Sequence, residues 1–291
     1  MNNPVPRVAA IHDLSGFGRT SLNVVIPILS TMGVQACPLP TAVLSTNTGG
    51  FKDYRFVDLT GEMEGFIEHW KSLDIHFDAV YSGFLGSPRQ VDIVSEFIRF
   101  FSHKEQLVIV DPVMGDDGKP YSTMGPEMIA QMKRLVATAD VITPNFTEAA
   151  FLLDESFKSS IEESEVKDWA VRLSEEGPRM VILSSVPVPS KKKVSSVVAY
   201  DRDDGRFWKV DCNYIPAYYP GTGDVFASVI VGSLLQGDSL PIALDRAVQF
   251  ISMAIRATFG YRYPAREGVL LERVLSNLRA PVTSSSYEIL E

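Results

Sequence analysis

Short apolar runs alternate with longer amphipathic ones along most of the chain, and this rhythm restricts the fold more than any other feature. Val8 to Ile11, Val34 to Leu39, Ala79 to Tyr81, Leu107 to Val110, Val141-Ile142 and Met180 to Leu183 read as strands. Between them, Leu22 to Met32 (with Pro27 a local irregularity), Met63 to Leu73, Val91 to Phe101, Met128 to Val136 and Val166 to Glu175 read as helices. Apolar strands separated by helices form βαβ units, which cover both faces of a parallel sheet. The expectation is an α/β protein, a three-layer α/β/α sandwich with a mainly parallel central sheet. After Ser185 the rhythm changes. Val194 to Tyr200 and Arg206 to Asp211 flank the turn-rich Asp201-Arg202-Asp203-Asp204-Gly205, which predicts a β-hairpin at the sheet edge. Two apolar helices are expected at Val225 to Leu235 and Ile242 to Thr258, and another near Val269 to Leu278. The Ser-rich end from about residue 280 reads as frayed. No linker divides the 291 residues, so one domain over 1–291 is expected.

Composition narrows the partners. The net charge is −9, and Lys191-Lys192-Lys193 is the one basic run, read as a solvated loop, so nucleic acid is disfavoured. The two cysteines, Cys37 and Cys212, support neither a disulfide framework nor a metal site, which points to the cytoplasm. The stretch Met1 to Arg7 is short and polar, and no signal peptide or membrane span is expected.

Polar residues cluster after the strands, where parallel α/β folds bind ligands. These clusters are His12-Asp13-Leu14-Ser15-Gly16-Phe17-Gly18, Ser82-Gly83-Phe84-Leu85-Gly86, Asp111-Pro112-Val113-Met114-Gly115-Asp116-Asp117-Gly118, Thr143-Pro144-Asn145-Phe146-Thr147-Glu148 and Ser184-Ser185. Each alone is an ordinary βα loop; five together predict a shared binding rim, with His12 a candidate for the cleft wall. Gly16-Phe17-Gly18-Arg19-Thr20-Ser21 approaches a dinucleotide fingerprint but ends in Ser, and no acidic ribose partner follows about twenty residues on. A nicotinamide-dependent oxidoreductase is therefore disfavoured. There is no GxxxxGK[ST] run either, so a phosphate would need a different cradle.

Gly221-Thr222-Gly223-Asp224, leading into Val225-Phe226-Ala227-Ser228, supplies one. Glycines allow close backbone approach, and a helix start offers unpaired N–H groups to an anion. Asp224 can take the proton of an acceptor hydroxyl, or can be a plain N-cap. Asp111 and Glu148 suit a hydrated Mg²⁺ carrying nucleotide phosphates, or can cap a turn and a helix start. Asp116 to Tyr121 is a turn-prone segment that can fold over a bound substrate, or remain an inert loop.

These residues together resemble the ribokinase-like superfamily, and within it the vitamin B6 salvage kinases, with hydroxymethylpyrimidine kinases close by. The resemblance rests on Ser82-Gly83-Phe84-Leu85-Gly86, Asp111-Pro112-Val113-Met114-Gly115-Asp116, Thr143-Pro144-Asn145 with Glu148, and Gly221-Thr222-Gly223-Asp224. Ser45-Thr46-Asn47-Thr48-Gly49 also looks like the family's Ser-Asn-His-Thr-Gly segment, and the whole match runs from about Val8 to Leu278. It implies phosphorylation of the 5′-hydroxymethyl group of pyridoxal by ATP and Mg²⁺, with K⁺ or Na⁺ as a further candidate cation. It implies Asp224 as the base, Gly221, Thr222 and Gly223 as the anion hole, and Asp111, Glu148 and Thr143 at the metal. Asn145 and Ser184 would lie near the nucleotide phosphates, with Asp116 and Tyr121 in a flap. Thr48 would bond ring substituents. Phe84 stands where the family often has a ring-stacking tyrosine, and Asp13 where many members have a serine at the ring nitrogen. Such kinases look like homodimers with a complete site in each subunit. A sugar kinase fits less well because little room remains before Val34 for a lid domain. A non-catalytic binding protein would not need the base.

Overall fold

Residue chemistry and connectivity together set the order of the strands. The computed structural model describes residues 4–187, 194–213, 215, 217–282 and 285–290. Six strands run parallel: β1 (Arg7–Ser15), β2 (Gln35–Leu44), then, after the short antiparallel β3 (Phe56–Asp58), β4 (Ala79–Ser82), β5 (Leu107–Val110), and, beyond the ribbon β6 (Gly115–Asp116) and β7 (Lys119–Pro120), β8 (Val141–Ile142) and β9 (Met180–Pro187). The hairpin β10 (Val194–Asp201) and β11 (Arg206–Asn213) continues the sheet antiparallel, and β12 (Tyr287–Leu290) closes that edge. The sheet order is β12-β11-β10-β9-β8-β5-β4-β1-β2-β3. The chain reverses direction across the sheet at β1, which lies between β2 and β4. That switch point is where α/β sheets open a crevice.

Eight helices cover the two faces: α1 (Leu22–Thr31), α2 (Thr60–Ser72), α3 (Pro88–Phe101), α4 (Pro126–Val136), α5 (Phe146–Leu152), α6 (Glu163–Glu175), α7 (Thr222–Leu235) and α8 (Leu240–Phe259) among the described residues. Side chains alternate along β1, so Val8 and Ala10 enter one core with Ile28, Val229, Ile230 and Leu244 from α1, α7 and α8. Ala9 and Ile11 enter the other with Met63, Phe97, Met132 and Trp169 from α2, α3, α4 and α6. Both layers of the expected sandwich are present. Phe146 and Trp169 stack at 4.9 Å in the second core. Truncating either ring to Ala would cost about 3–5 kcal/mol.

Three expectations change. The end beyond residue 280 is not frayed throughout: Tyr287 to Leu290 pair with Phe207 to Val210. Ser286 donates its N–H and hydroxyl to the fully buried Asp245, and Tyr287 packs edge-on against Trp208. Serine content carries no information about a docking partner, which here is an open strand edge. The helix expected near Val269 to Leu278 is a series of 3₁₀ turns, Ala265–Glu267, Leu271–Arg273 and Leu275–Arg279. Val274 N bonds Leu271 O and Asn277 N bonds Val274 O, so the apolar spacing is kept with three-residue rather than four-residue bonds. The loop at Asp116 to Tyr121 includes the ribbon β6–β7, turned by Asp117 (φ 48°) and Gly118 (φ 73°), the double positive φ that Asp-Gly hairpins adopt. Lys191-Lys192-Lys193 lies outside the described residues.

Candidate active site

Gly221 is the N-cap of α7 in a left-handed conformation, φ 84° and ψ 1°. A Cβ there would stand 2.1 Å from the carbonyl oxygen of Arg19, so both conformation and contact demand glycine. No side chain caps the helix. The N–H groups of its first turn, at Thr222, Gly223 and Asp224, are free to meet an anion, and the helix dipole favours one there. Gly223 is exposed, and a Cβ on it would meet nothing within 4 Å, which leaves clearance above the turn. Asp224 does not cap its own helix. Its Oδ2 accepts the backbone N–H of Ser21 at 2.9 Å, and this bond crosses from α7 to the loop after β1.

A second group of side chains comes from the ends of β5 and β8. Asp111 is buried and accepts the Thr143 hydroxyl on Oδ1 at 3.1 Å. Asn145 and Glu148 form a reciprocal capping box at the start of α5. The Glu148 carboxylate accepts the N–H of Asn145 at 2.8 Å and that of Met114 at 3.0 Å. The Asn145 amide donates to Gly115 O at 2.8 Å, which ties the ribbon β6–β7 to the helix start. The capping reading of Glu148 therefore holds as geometry, and the same bonds aim its carboxylate at the cleft. Ser184 bridges to Asn145 beside the same rim.

Two cavities open at the carboxyl ends of the strands. One, of about 380 Å³, is lined by Asp111, Asp116, Tyr121, Thr143, Asn145, Glu148, Ser184 and Gly221 to Asp224, and continues to an apolar wall that includes Phe226, Val248 and Ile255. The other, of about 370 Å³, is lined by Asp13, Thr48, Phe84, Tyr121, Gly221 and Asp224. Val113, Tyr121, Tyr218, Gly221 and Asp224 line both, so the cavities meet at the carboxylate that begins α7. Every residue singled out from the resemblance lies on one wall or the other. His12 does not: it is wholly buried, beside Tyr81, and burial pushes its pKa down to about 3. Alternation along β1 turns it toward the core of α7, the side away from Asp13. Ser15, Ser21, Asn47, Tyr54 and Tyr218 also line the site; Ser15, Ser21 and Asn47 stand inside runs noted in the sequence, but no individual role follows from those runs. Tyr218 and Ser21 stood closest to recognition, as neighbours of Gly221 to Asp224 and of the incomplete glycine fingerprint.

The electrostatics are one-sided. Neither cavity is lined by a Lys or Arg among the described residues, while five carboxylates, Asp13, Asp111, Asp116, Glu148 and Asp224, line them. Burial raises the pKa of Asp13, opposed by the hydroxyls of Ser21 and Ser15. Burial brings Asp224 to about 7, with the Ser21 N–H opposing and the Asp13 charge adding. Burial and then the charge of Asp224 bring Asp111 to about 7 as well. Burial and the charge of Asp111 hold Glu148 well above the usual carboxylate range. Asp224, at the seam of the two cavities, can accept a proton near pH 7, and the row of acids attracts cations.

A family model described as phosphomethylpyrimidine kinase matches residues 26–266 of the chain. A Bacteroides thetaiotaomicron protein assigned provisionally to the phosphomethylpyrimidine kinases, crystallised with pyridoxal, superposes with a TM-score of 0.95 at 55% identity, over 98% of this chain and 100% of that one. A pyridoxine/pyridoxal/pyridoxamine kinase of Bordetella avium is 29% identical over 267 residues, 86% of this chain and 85% of its own. The chloroplastic thiamine biosynthetic bifunctional enzyme TH1 of Arabidopsis thaliana is 28% identical over 254 residues; the match covers 86% of this chain but 47% of that enzyme, about half its length. The chain belongs to the phosphomethylpyrimidine kinase family and is a kinase of ribokinase-like fold.

Proposed function

We propose that the protein transfers the γ-phosphoryl group of ATP to the 5′-hydroxymethyl group of pyridoxal, and of pyridoxine and pyridoxamine, giving the 5′-phosphate and ADP. The observation that carries this reading is the position of Asp224, shared by two cavities at the uncapped start of α7. The larger, with its apolar end wall, takes the nucleotide; the smaller, with Phe84 and Thr48, takes the ring. The pyridoxal in crystals of the Bacteroides protein supports that choice of acceptor.

In this reading the acceptor oxygen attacks the γ-phosphorus, its proton passes to Asp224, and the bond from phosphorus to the ADP oxygen breaks. Asp224 Oδ2 is held by Ser21 N–H, which leaves Oδ1 to meet the hydroxyl. A base near pH 7 is matched to this task. The first-turn N–H groups of α7 meet the charge on the transferring group, the larger part of catalysis in phosphoryl transfer. Tyr121 and Asp116, carried on and beside the ribbon β6–β7, would cover the reacting groups and exclude water.

The donor set suits a hydrated Mg²⁺. Among the described residues no three His, Cys, Asp or Glu side chains gather as a metal cage. Asp111 has Oδ1 on Thr143, and the backbone N–H groups of Asn145 and Met114 occupy the two oxygens of Glu148. Asp111 would hold the ion directly or through water, with Glu148 and Thr143 behind it, which is the one-or-two-carboxylate pattern of Mg²⁺ with nucleotide phosphates. When bound, the ion supplies the positive charge that this carboxylate row lacks. A homodimer with a complete site in each subunit is part of this reading. A cytoplasmic location fits the two free cysteines.

A second reading, phosphorylation of hydroxymethylpyrimidine, is favoured by the family match and by Asp13, which can accept from a pyrimidine amino group as well as from a pyridinium N–H. Side-by-side kcat/KM values for pyridoxal, pyridoxine, pyridoxamine and hydroxymethylpyrimidine test the two. Pyridoxal is expected to exceed hydroxymethylpyrimidine; the reverse ratio would move the protein to the second reading.

A further inference from the structure

Ser21 holds a backbone conformation, φ 52° and ψ −132°, that glycine adopts freely and other residues rarely do. It occupies the last position of Gly16-Phe17-Gly18-Arg19-Thr20-Ser21, where a glycine fingerprint would carry its third glycine. A serine here is therefore at odds with its own backbone and needs a reason. Capping is not that reason. Ser21 is the N-cap of α1, yet its backbone lies outside the extended region usual for that position, and its side chain accepts no helix N–H.

Its polar atoms point elsewhere. The Ser21 hydroxyl donates to Asp13 Oδ1, and the Ser21 N–H donates to Asp224 Oδ2 at 2.9 Å. The hydroxyl of Ser15 takes the other oxygen of Asp13 at 3.3 Å. The pairing of β1 with β2 shifts register between His12 and Leu14, so Asp13 stands at an irregularity in the sheet that frees it from the ladder. Ser21 is 7% exposed and lines the same cavity as both carboxylates. One buried residue thus holds two acids through two different atoms, one on the acceptor side of the cleft and one at its seam.

We infer that Ser21 is a positioning residue that locks Asp13 in register with Asp224, so that gripping the acceptor ring and aligning its hydroxyl become a single geometry. The inference rests on the acceptor and base assignments of the proposed function. Through Asp13, whose two oxygens are already turned by two serine hydroxyls, the site would select a flat heteroaromatic acceptor that presents a ring N–H or amino group at a fixed offset from its hydroxymethyl group. The strained backbone is retained because a glycine at this position would leave Asp13 Oδ1 without its hydroxyl donor.

Ser21→Gly separates these roles, because it removes the hydroxyl, keeps the N–H to Asp224 and relieves the backbone. The variant is expected to melt about 2 °C or more higher than Ser21→Ala, which loses the same hydroxyl but keeps the strain. Its KM for the acceptor should rise about tenfold, with the loss falling on KM more than on kcat and with KM for ATP unchanged. Ser21→Ala, which keeps the backbone strain, should show the same KM rise without the gain in melting temperature. In an Asp13→Asn background, adding Ser21→Gly should change the acceptor KM by less than about twofold, because the effect runs through Asp13. A wild-type acceptor KM in Ser21→Gly, or effects of the two substitutions that multiply, would overturn the inference. Failure of the underlying reading looks different: the wild type itself would phosphorylate neither the B6 vitamers nor hydroxymethylpyrimidine.

Discussion

The two ends of the sheet carry cavities of opposite character. At the amino ends of the strands lies a cavity of about 760 Å³, larger than either at the carboxyl ends. Its basic side chains are paired with acids: Arg179 pairs with Asp203 at 3.3 Å and approaches Asp201 at 3.9 Å, Arg206 approaches Asp204, and Asp238 pairs with Arg246 at 3.1 Å. At the carboxyl ends, Asp13, Asp224, Asp111 and Glu148 face one another with no Lys or Arg on the described walls. Volume favours the amino end and chemistry the carboxyl end. Paired charges at a surface are worth little and ask for no ligand, whereas crowded buried acids are held at a cost that only a bound cation or a transferred proton relieves.

Replacing the acid at the seam should break this contrast most completely. Asp224→Asn is expected to lower kcat by about 10²–10⁴-fold, the range of a general base, while ATP binding measured by calorimetry stays close to wild type. A variant with near-normal turnover would remove Asp224 from the chemistry. Gly221→Ala attacks the anion cradle instead. With φ at 84° and the Arg19 carbonyl 2.1 Å from the new Cβ, it should lose about 2 kcal/mol or more in urea unfolding and at least about tenfold in kcat/KM.

A pH series sharpens the electrostatic half of the comparison. The folded-state pKa of Asp224 and of Asp111 is about 7, above the ordinary value of 3.8. Each group's contribution to stability is thus fully present below about pH 4 and lost as pH rises through about 7. The ligand-free protein should lose stability across that window, and Asp111→Asn should flatten the loss, giving a larger gain in melting temperature at pH 8 than at pH 5. An equal gain at both pH values would mean that Asp111 is not held neutral by its surroundings. The smallest effect belongs to the other end of the sheet. Arg206→Ala should leave kcat/KM within about twofold and stability within about 0.5 kcal/mol. A large loss of activity would show that the amino-end cavity is coupled to the reaction.

How far the sequence could be read differed by element. Strands β1, β4, β5 and β8 are apolar on both faces, so composition alone marks them. Strand β3, with three exposed residues, and β12, at the far edge, lack that mark and exist because a neighbouring strand offers unpaired backbone groups. Helices begin before their first apolar residue where polar residues open them, as at Ser87 before Pro88, ahead of the expected Val91. In the site, Gly221 to Asp224, Asp111, Thr143 and Glu148 were legible because their chemistry is concentrated in short runs at strand or helix ends. His12 looked equally promising in its run, but the one-residue step along a strand turned it to the opposite face. Ser21 and Tyr218 were hidden because their roles depend on which distant loop they meet.

Local rules therefore determined the strand–helix rhythm, the glycine-bearing start of α7 and the inventory of acids, since these follow from burial, backbone conformation and helix ends within a few residues. Only the tertiary structure decided that Asp224 stands at the seam of two cavities, that Ser21 reaches across 203 positions of chain to hold it, and that no described basic side chain relieves the acids beside it. Those facts depend on contacts between segments distant in sequence, and a contact of that kind has no period, spacing or composition by which a single chain can announce it.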